Sequence, residues 1–164
     1  MKEKRKLKTS TKFTIMAIVL IAIFSVALAP VTLQNDTFYT IKIGEHIINN
    51  GIDMKDPFSW HQNLAYTYPH WLYDVIIYLI YNAFGMMGIY ITTCILSATL
   101  GITIYLVNKK LAKNQLFSFL ITIGVMYIMK GYIAARAQLV TFILFMLTIL
   151  FIEQFLETKK KRYA

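Results

Sequence analysis

"MMGIYITTCILSATLGITIYLV" (Met86 to Val107) runs for twenty-two residues without a charge. At about 1.5 Å per residue, a helix of that length covers the ~30 Å hydrocarbon core of a bilayer. A surface helix of a soluble domain would interrupt such a run with a polar face. Thr92, Ser97 and Thr99 do not count against insertion, because each hydroxyl can bond a carbonyl of its own helix.

The same reading extends outward in both directions. "FTIMAIVLIAIFSVALAPVTL" (Phe13 to Leu33) is a second uncharged run of spanning length. It follows a basic tail, residues 1–12, which makes a cleaved leader the competing reading. Ala27-Leu28-Ala29 has the small-x-small form of a cleavage site, but Pro30 directly after it disfavours cleavage. On the other side of Met86–Val107 come the polar residues 108–115, then Leu116–Met129 and Ile133–Leu156. These two apolar runs are read as a tight pair of spans turning at "KGYIAAR". The first is short, so a re-entrant hairpin is its alternative.

Composition agrees with a bilayer as solvent. The 164 residues are 57% hydrophobic and 15% aromatic, and the mean hydropathy is +0.55, where a soluble domain averages below zero. The formal charge of +9 sits in short clusters between apolar runs rather than on one face, which argues against a nucleic-acid partner. Cys94 is the single cysteine, so a disulfide framework and a cysteine-based zinc site are excluded. No glycine-rich phosphate loop, nucleophile elbow, zinc-protease motif or internal repeat is present.

Charge placement gives an orientation. Six cations lie in the N-terminal tail, three in the loop at Lys109, Lys110 and Lys113, and four at Lys159 to Arg162. Four spans place all of these on one side, leaving only Lys42, Lys55, Lys130 and Arg136 for the other. The positive-inside rule then puts both termini in the cytoplasm and residues 34–85 outside. The expected fold is all-α and polytopic: about four transmembrane helices, plus interfacial helices in the first outer loop. Residues 157–164 form the cytoplasmic tail of a single membrane domain.

The outer loop holds two expected helices. Asn35 or Asp36 caps a helix over about 36–50, with Gly51 as its stop. Trp71–Phe84 places Asp74, Tyr78 and Tyr81 on one stripe and Val75, Ile76, Leu79 and Ile80 largely opposite, as an interfacial helix would. Trp71, Tyr66, Tyr68 and Tyr73 suit headgroup depth. Of the loop's ionisable groups, Asp36 stands at a helix N-terminus, where the dipole favours a carboxylate. Asp56 precedes Pro57, a turn setting. His61 and His70 lack the helical spacing of a two-histidine metal site, and His46 decorates a helix face. Arg136, at the outer end of the last span, can snorkel to headgroups or bind a phosphate.

The segments "NDTFYTIKIGEHIINNGI", "DPFSW", "PHWLYDVIIYLIYNAFG" and "ARAQLVTFILFML" occur in an order that resembles the N-terminal part of GT-C-type membrane glycosyltransferases. These enzymes take a sugar from a polyprenyl-phosphate carrier and transfer it to an acceptor on the outer face. The resemblance implies a catalytic acid shortly after the first span, the position held by Asp36. It implies that Arg136, His70 and Asp56 are candidates for contacting the substrate or its phosphate, and it leaves divalent-metal dependence open. Members of the family have many more spans, so the chain is expected to be the N-terminal part of a longer protein, catalytically incomplete alone. Many relatives carry two adjacent acids where this chain has Asn35-Asp36-Thr37. Two other readings stand beside the enzyme: a small four-span assembly subunit with a membrane-protein partner, and a transporter or flippase subunit. The second is disfavoured by apolar runs almost free of ionisable groups.

Overall fold

The computed structural model describes residues 9–31, 34–61 and 64–159. The expectations for the first eight residues, for Thr32 and Leu33 at the end of the first span, and for residues 160–164 lie outside the described residues. The protein is all-α, with helices α1 (Thr9–Leu28), α2 (Asn35–Asn50), α3 (Trp71–Ala112), α4 (Gln115–Ile128) and α5 (Ala137–Thr158). A four-residue 3-10 turn, Met129–Tyr132, follows α4. Four helical stretches among the described residues are long and apolar enough to cross a membrane: Thr9–Leu28, Trp71–Ala112, Gln115–Tyr132 and Ala137–Thr158. The chain is an integral membrane protein.

Two of these stretches meet the bilayer thickness in unlike ways. The 42 residues of α3 would extend about 63 Å, roughly twice the hydrocarbon core. Gly85 breaks the helical geometry inside it, at φ 62° and ψ −155°, a conformation that L side chains rarely adopt. The uncharged run from Met86 to Val107 is by itself long enough to cross the hydrocarbon core, and Trp71–Phe84 lies before the break. Helix α4 has the opposite problem, since its 14 residues cover only about 21 Å. The 3-10 turn is more extended, at roughly 2.0 Å per residue, and its four residues bring the stretch close to the core thickness.

The fold divides into two compact units. The first comprises residues up to Ala29, Cys94–Ile133 and the chain from Gln138 onward. Its core joins Ala17, Ile21 and Tyr105, with Phe13, Ile18, Phe119 and Ile123 packed around them. Ser97 donates its hydroxyl to the Ser25 carbonyl at 2.8 Å, and Gly101 sits beside the Ser25 side chain and Ile21. Small residues allow this closeness, which in lipid replaces the hydrophobic drive between helices. Polar contacts collect at the chain reversal: Lys109 Nζ to Thr14 at 2.8 Å, Lys110 to Glu157 at 2.7 Å, and Gln115 to Ser10 at 2.6 Å. The Asn114 side chain caps α4 by accepting from the amides of Leu116 and Phe117. Leu100, Ile121, Val125, Phe142 and Phe145 help line an apolar groove of about 320 Å³.

The second unit comprises Pro30–Thr93 and Ala134–Ala137. Its core joins Ile41, Ile77, Ile89 and Ala135, with Tyr73, Tyr78 and Tyr81 against it. The polar stripe of Trp71–Phe84 therefore faces inward, while Leu72, Ile76 and Leu79 are exposed. That inversion suits a helix whose outer side meets lipid. Helix α2 stops at Gly51, whose φ of 77° closes it with an N–H to the Ile47 carbonyl at 2.9 Å.

Candidate functional site

Helix α2 begins differently from the sequence expectation. Gln34 occupies the cap position in extended geometry, and no side chain caps the helix. Neither Asn35 nor Asp36 is the cap, because both already lie in the first helical turn. The Asp36 carboxylate is thereby free for another partner, and Arg136 supplies it. Arg136 Nη2 meets Asp36 Oδ2 at 2.6 Å.

The elements position this pair from both sides. Asp36 is the acidic residue of the first turn of α2, where unbonded amides favour a negative charge. Arg136 stands immediately before α5, in a short non-helical segment whose Ala134 and Ala135 are buried. Ala135 belongs to the same apolar cluster as Ile41 of α2, so the packing of that cluster fixes the arginine beside the helix start. Arg136 was expected near the beginning of a span over 133–156. The helix itself starts at Ala137, and Ile133–Arg136 form its lead-in.

The pair is open to solvent, with side-chain exposures of 39% for Arg136 and 63% for Asp36. A contact so exposed contributes about 0–1 kcal/mol to stability, too little to explain it as a staple. Arg136 and the chain neighbours of Asp36 also carry polar atoms with nothing to bond. Gln34 Oε1, Thr37 Oγ1 and Arg136 Nε are buried and have no hydrogen-bond partner among the described residues. Buried polar groups are nearly always paired, so three orphans on residues of this one corner are unusual. The pair itself offers solvent a carboxylate and a guanidinium.

Asp56 and His70 belong to a different group of side chains. Asp56 Oδ1 accepts the Phe58 amide at 2.9 Å, a local turn. His70 is exposed just before α3, and its carbonyl accepts the Asp74 amide at 3.0 Å. Asp74 itself is buried, and burial pushes its carboxyl up to about 6, against the opposing influence of His70 and a hydrogen bond from Thr40. The Tyr39 phenol is also pushed up, by burial first, then by its hydrogen bond with Tyr66 and the charges of Asp56 and Asp74. The structure thus joins Asp36 to Arg136, sets Tyr39 against Tyr66 and Phe58, and places His70 one turn before the buried Asp74. In the sequence Asp74 is one residue of a polar stripe with Tyr78 and Tyr81. The available signal was its position as the one carboxylate in an otherwise uncharged helical run.

A third group closes the loop. Tyr68 is buried, and its hydroxyl lies 2.8 Å from Asp53 Oδ1 and 2.7 Å from the Lys55 carbonyl. His46 Nε2 approaches Asp53 Oδ2 at 3.3 Å, and the His46 and Tyr68 rings stack at 6.3 Å. Among the described residues, no three histidine, cysteine or carboxylate side chains converge as metal ligands. A cavity of about 260 Å³ lies between α2 and the first part of α3, lined by Phe38, Lys42, Glu45, Tyr78, Tyr81 and Asn82 among others. Comparison of the chain with protein-family models, with curated proteins and with solved structures finds no match.

Proposed function

We propose that the chain is the N-terminal module of a membrane glycosyltransferase of the GT-C type. It would transfer a sugar from a polyprenyl-phosphate carrier to an acceptor on the outer face of a bacterial plasma membrane. The observation that carries this reading is the Asp36–Arg136 pair, which combines the two chemistries the transfer needs at one corner. The distribution of Lys and Arg supports the orientation, with both termini cytoplasmic and α2 outside.

In this mechanism the acceptor hydroxyl oxygen attacks C1 of the sugar while Asp36 takes the hydroxyl proton. The bond between C1 and the phosphate oxygen breaks, and the lipid phosphate leaves with the bonding electrons. Arg136 neutralises the charge that develops on that oxygen. Guanidinium suits the task because it offers planar, paired N–H donors to phosphate oxygens. The weak, exposed pairing with Asp36 lets Arg136 turn to the phosphate and release the carboxylate to the acceptor.

The test is sugar transfer in the native protein from a polyprenyl-phosphate sugar donor. Asp36→Ala should slow transfer by about 10²-fold or more at unchanged expression, and Arg136→Gln should weaken binding of polyprenyl phosphate. Undiminished transfer by Asp36→Ala would overturn the proposal.

A further inference from the structure

Between α2 and α3 the chain makes a small hairpin. Lys55 and Ala65 form an antiparallel bridge, with Asp56 N donating to the Leu64 carbonyl at 2.9 Å and Tyr66 N to the Met54 carbonyl at 3.0 Å. Its base is fastened by Tyr68, which reaches Asp53 and the Lys55 carbonyl. Toward its tip, Asp56 Oδ1 accepts the Phe58 amide and Ser59 Oγ accepts the His61 amide at 3.1 Å. Successive side-chain turns of this kind hold backbone in place without a core.

What this fastened hairpin presents is apolar. Trp60 is 97% exposed, and Ile52, Met54, Phe58 and Leu64 are exposed as well. Phe58 packs on Tyr39 of α2 at 5.3 Å, so the aromatic surface of the tip continues onto that helix, where Phe38 and Ile48 are also exposed. An indole held out on a braced turn is not a packing residue. Contiguous exposed apolar side chains mark an interaction surface.

We infer that the Pro57–His61 tip is a membrane anchor, with the Trp60 indole inserted at the headgroup–acyl boundary of the phospholipid bilayer. Three observations select lipid over other occupants. In the chain the segment lies between two membrane-crossing stretches, α1 and α3, separated from α1 by the 16 residues of α2. Its carboxylates have local partners: Asp53 is engaged by Tyr68 and His46, and Asp56 by the Phe58 amide. Lys55 is left exposed, and its ammonium suits lipid phosphates. Tryptophan, moreover, is the side chain most at home at this depth, with an apolar ring and one N–H donor.

Trp60 and Trp71 are the only indoles, so Trp71→Phe isolates Trp60 fluorescence in the full chain. The protein is reconstituted in phosphatidylcholine–phosphatidylglycerol vesicles, with and without bromine on the acyl chains. The anchor predicts blue-shifted emission, several-fold quenching by brominated chains near the headgroup, and little quenching by aqueous iodide. Emission of fully solvated indole with strong iodide quenching would overturn it. So would shielded emission that bromine leaves unchanged, since protein would then cover the tip. Should Trp71→Phe fail to fold, the difference between wild type and Trp60→Phe gives the same signal. The readout is depth rather than transfer, so it stands or fails independently of the glycosyltransferase reading.

Discussion

Gly44 of α2 lies directly against the backbone carbonyl of Asp74, and a β-carbon there would also come within 2.7 Å of Tyr78 Cβ. Two helices of the second unit touch backbone to backbone at this point, and the obstacle on one side is main chain that cannot swing away. Gly44→Ala should therefore destabilise the protein by about 1–3 kcal/mol through overpacking. A thermal melt in detergent, read by circular dichroism, checks this. An unchanged melt would mean that the helices separate without penalty.

A parallel contact in the first unit predicts a similar outcome by another route. A β-carbon on Gly101 would press on Ser25 Oγ and come within 2.9 Å of Ile21 Cγ2. Gly101→Leu should cost several-fold in folded yield, whereas Ser97→Ala, which removes only the hydrogen bond to the Ser25 carbonyl, should cost about 0.5–1.5 kcal/mol. Equal effects from both would show that the hydrogen bond, not the close approach, holds the crossing.

Asp74 predicts an unusual pH dependence. Its folded pKa of about 6 lies above the ordinary 3.8, so the folded protein holds this proton more tightly than the unfolded chain. Its stabilising contribution is full below about pH 4 and declines as pH rises through 6. The melting temperature should fall over that interval, and Asp74→Asn should flatten the profile. A profile that Asp74→Asn leaves unchanged would assign the dependence elsewhere.

Asp53 carries the opposite sign. The Tyr68 hydroxyl and the Lys55 amide hold its carboxyl below the usual range, so its contribution is present at neutral pH and is lost on acidification through the depressed value. Tyr68→Phe should raise amide hydrogen exchange across residues 53–56 and 64–66 while leaving exchange in α4 unchanged. Equal exchange in wild type and variant would show that the hairpin does not depend on this hydroxyl.

For Asp36, removing the carboxylate should separate chemistry from folding. In the proposed glycosyl transfer, Asp36→Asn should slow the reaction by about 10²–10⁴-fold, the usual worth of a general base. The melt should move by no more than about 1 kcal/mol, since the pair with Arg136 is exposed. A large loss of stability would make Asp36 a structural residue.

The all-α, four-span architecture was legible because uncharged runs of spanning length have one comfortable solvent. The start of α2 was not. Asn35 and Asp36 both look like helix caps by residue type, yet cap preference is worth only about 1 kcal/mol, and Gln34 takes the position while Asp36 turns to Arg136. That pairing depends on Ile41 and Ala135 meeting in one cluster, a tertiary fact without a local trace. Burial of Asp74 was hidden for a related reason. The periodicity of Trp71–Phe84 separates two faces but does not say which one meets protein, and here the polar face does.

The tight reversal between α3 and α4 bears on biosynthesis. Helix α3 ends at Ala112 and α4 starts at Gln115, with Lys113 in left-handed geometry at φ 54° and Asn114 capping the return. So short a link favours entry of the two helices into the bilayer as one helical hairpin. The less hydrophobic partner, which reaches full thickness only through its 3-10 turn, is then carried across by its neighbour. Insertion of α4 by the translocon should accordingly fail when α3 is absent, even with every residue of α4 intact.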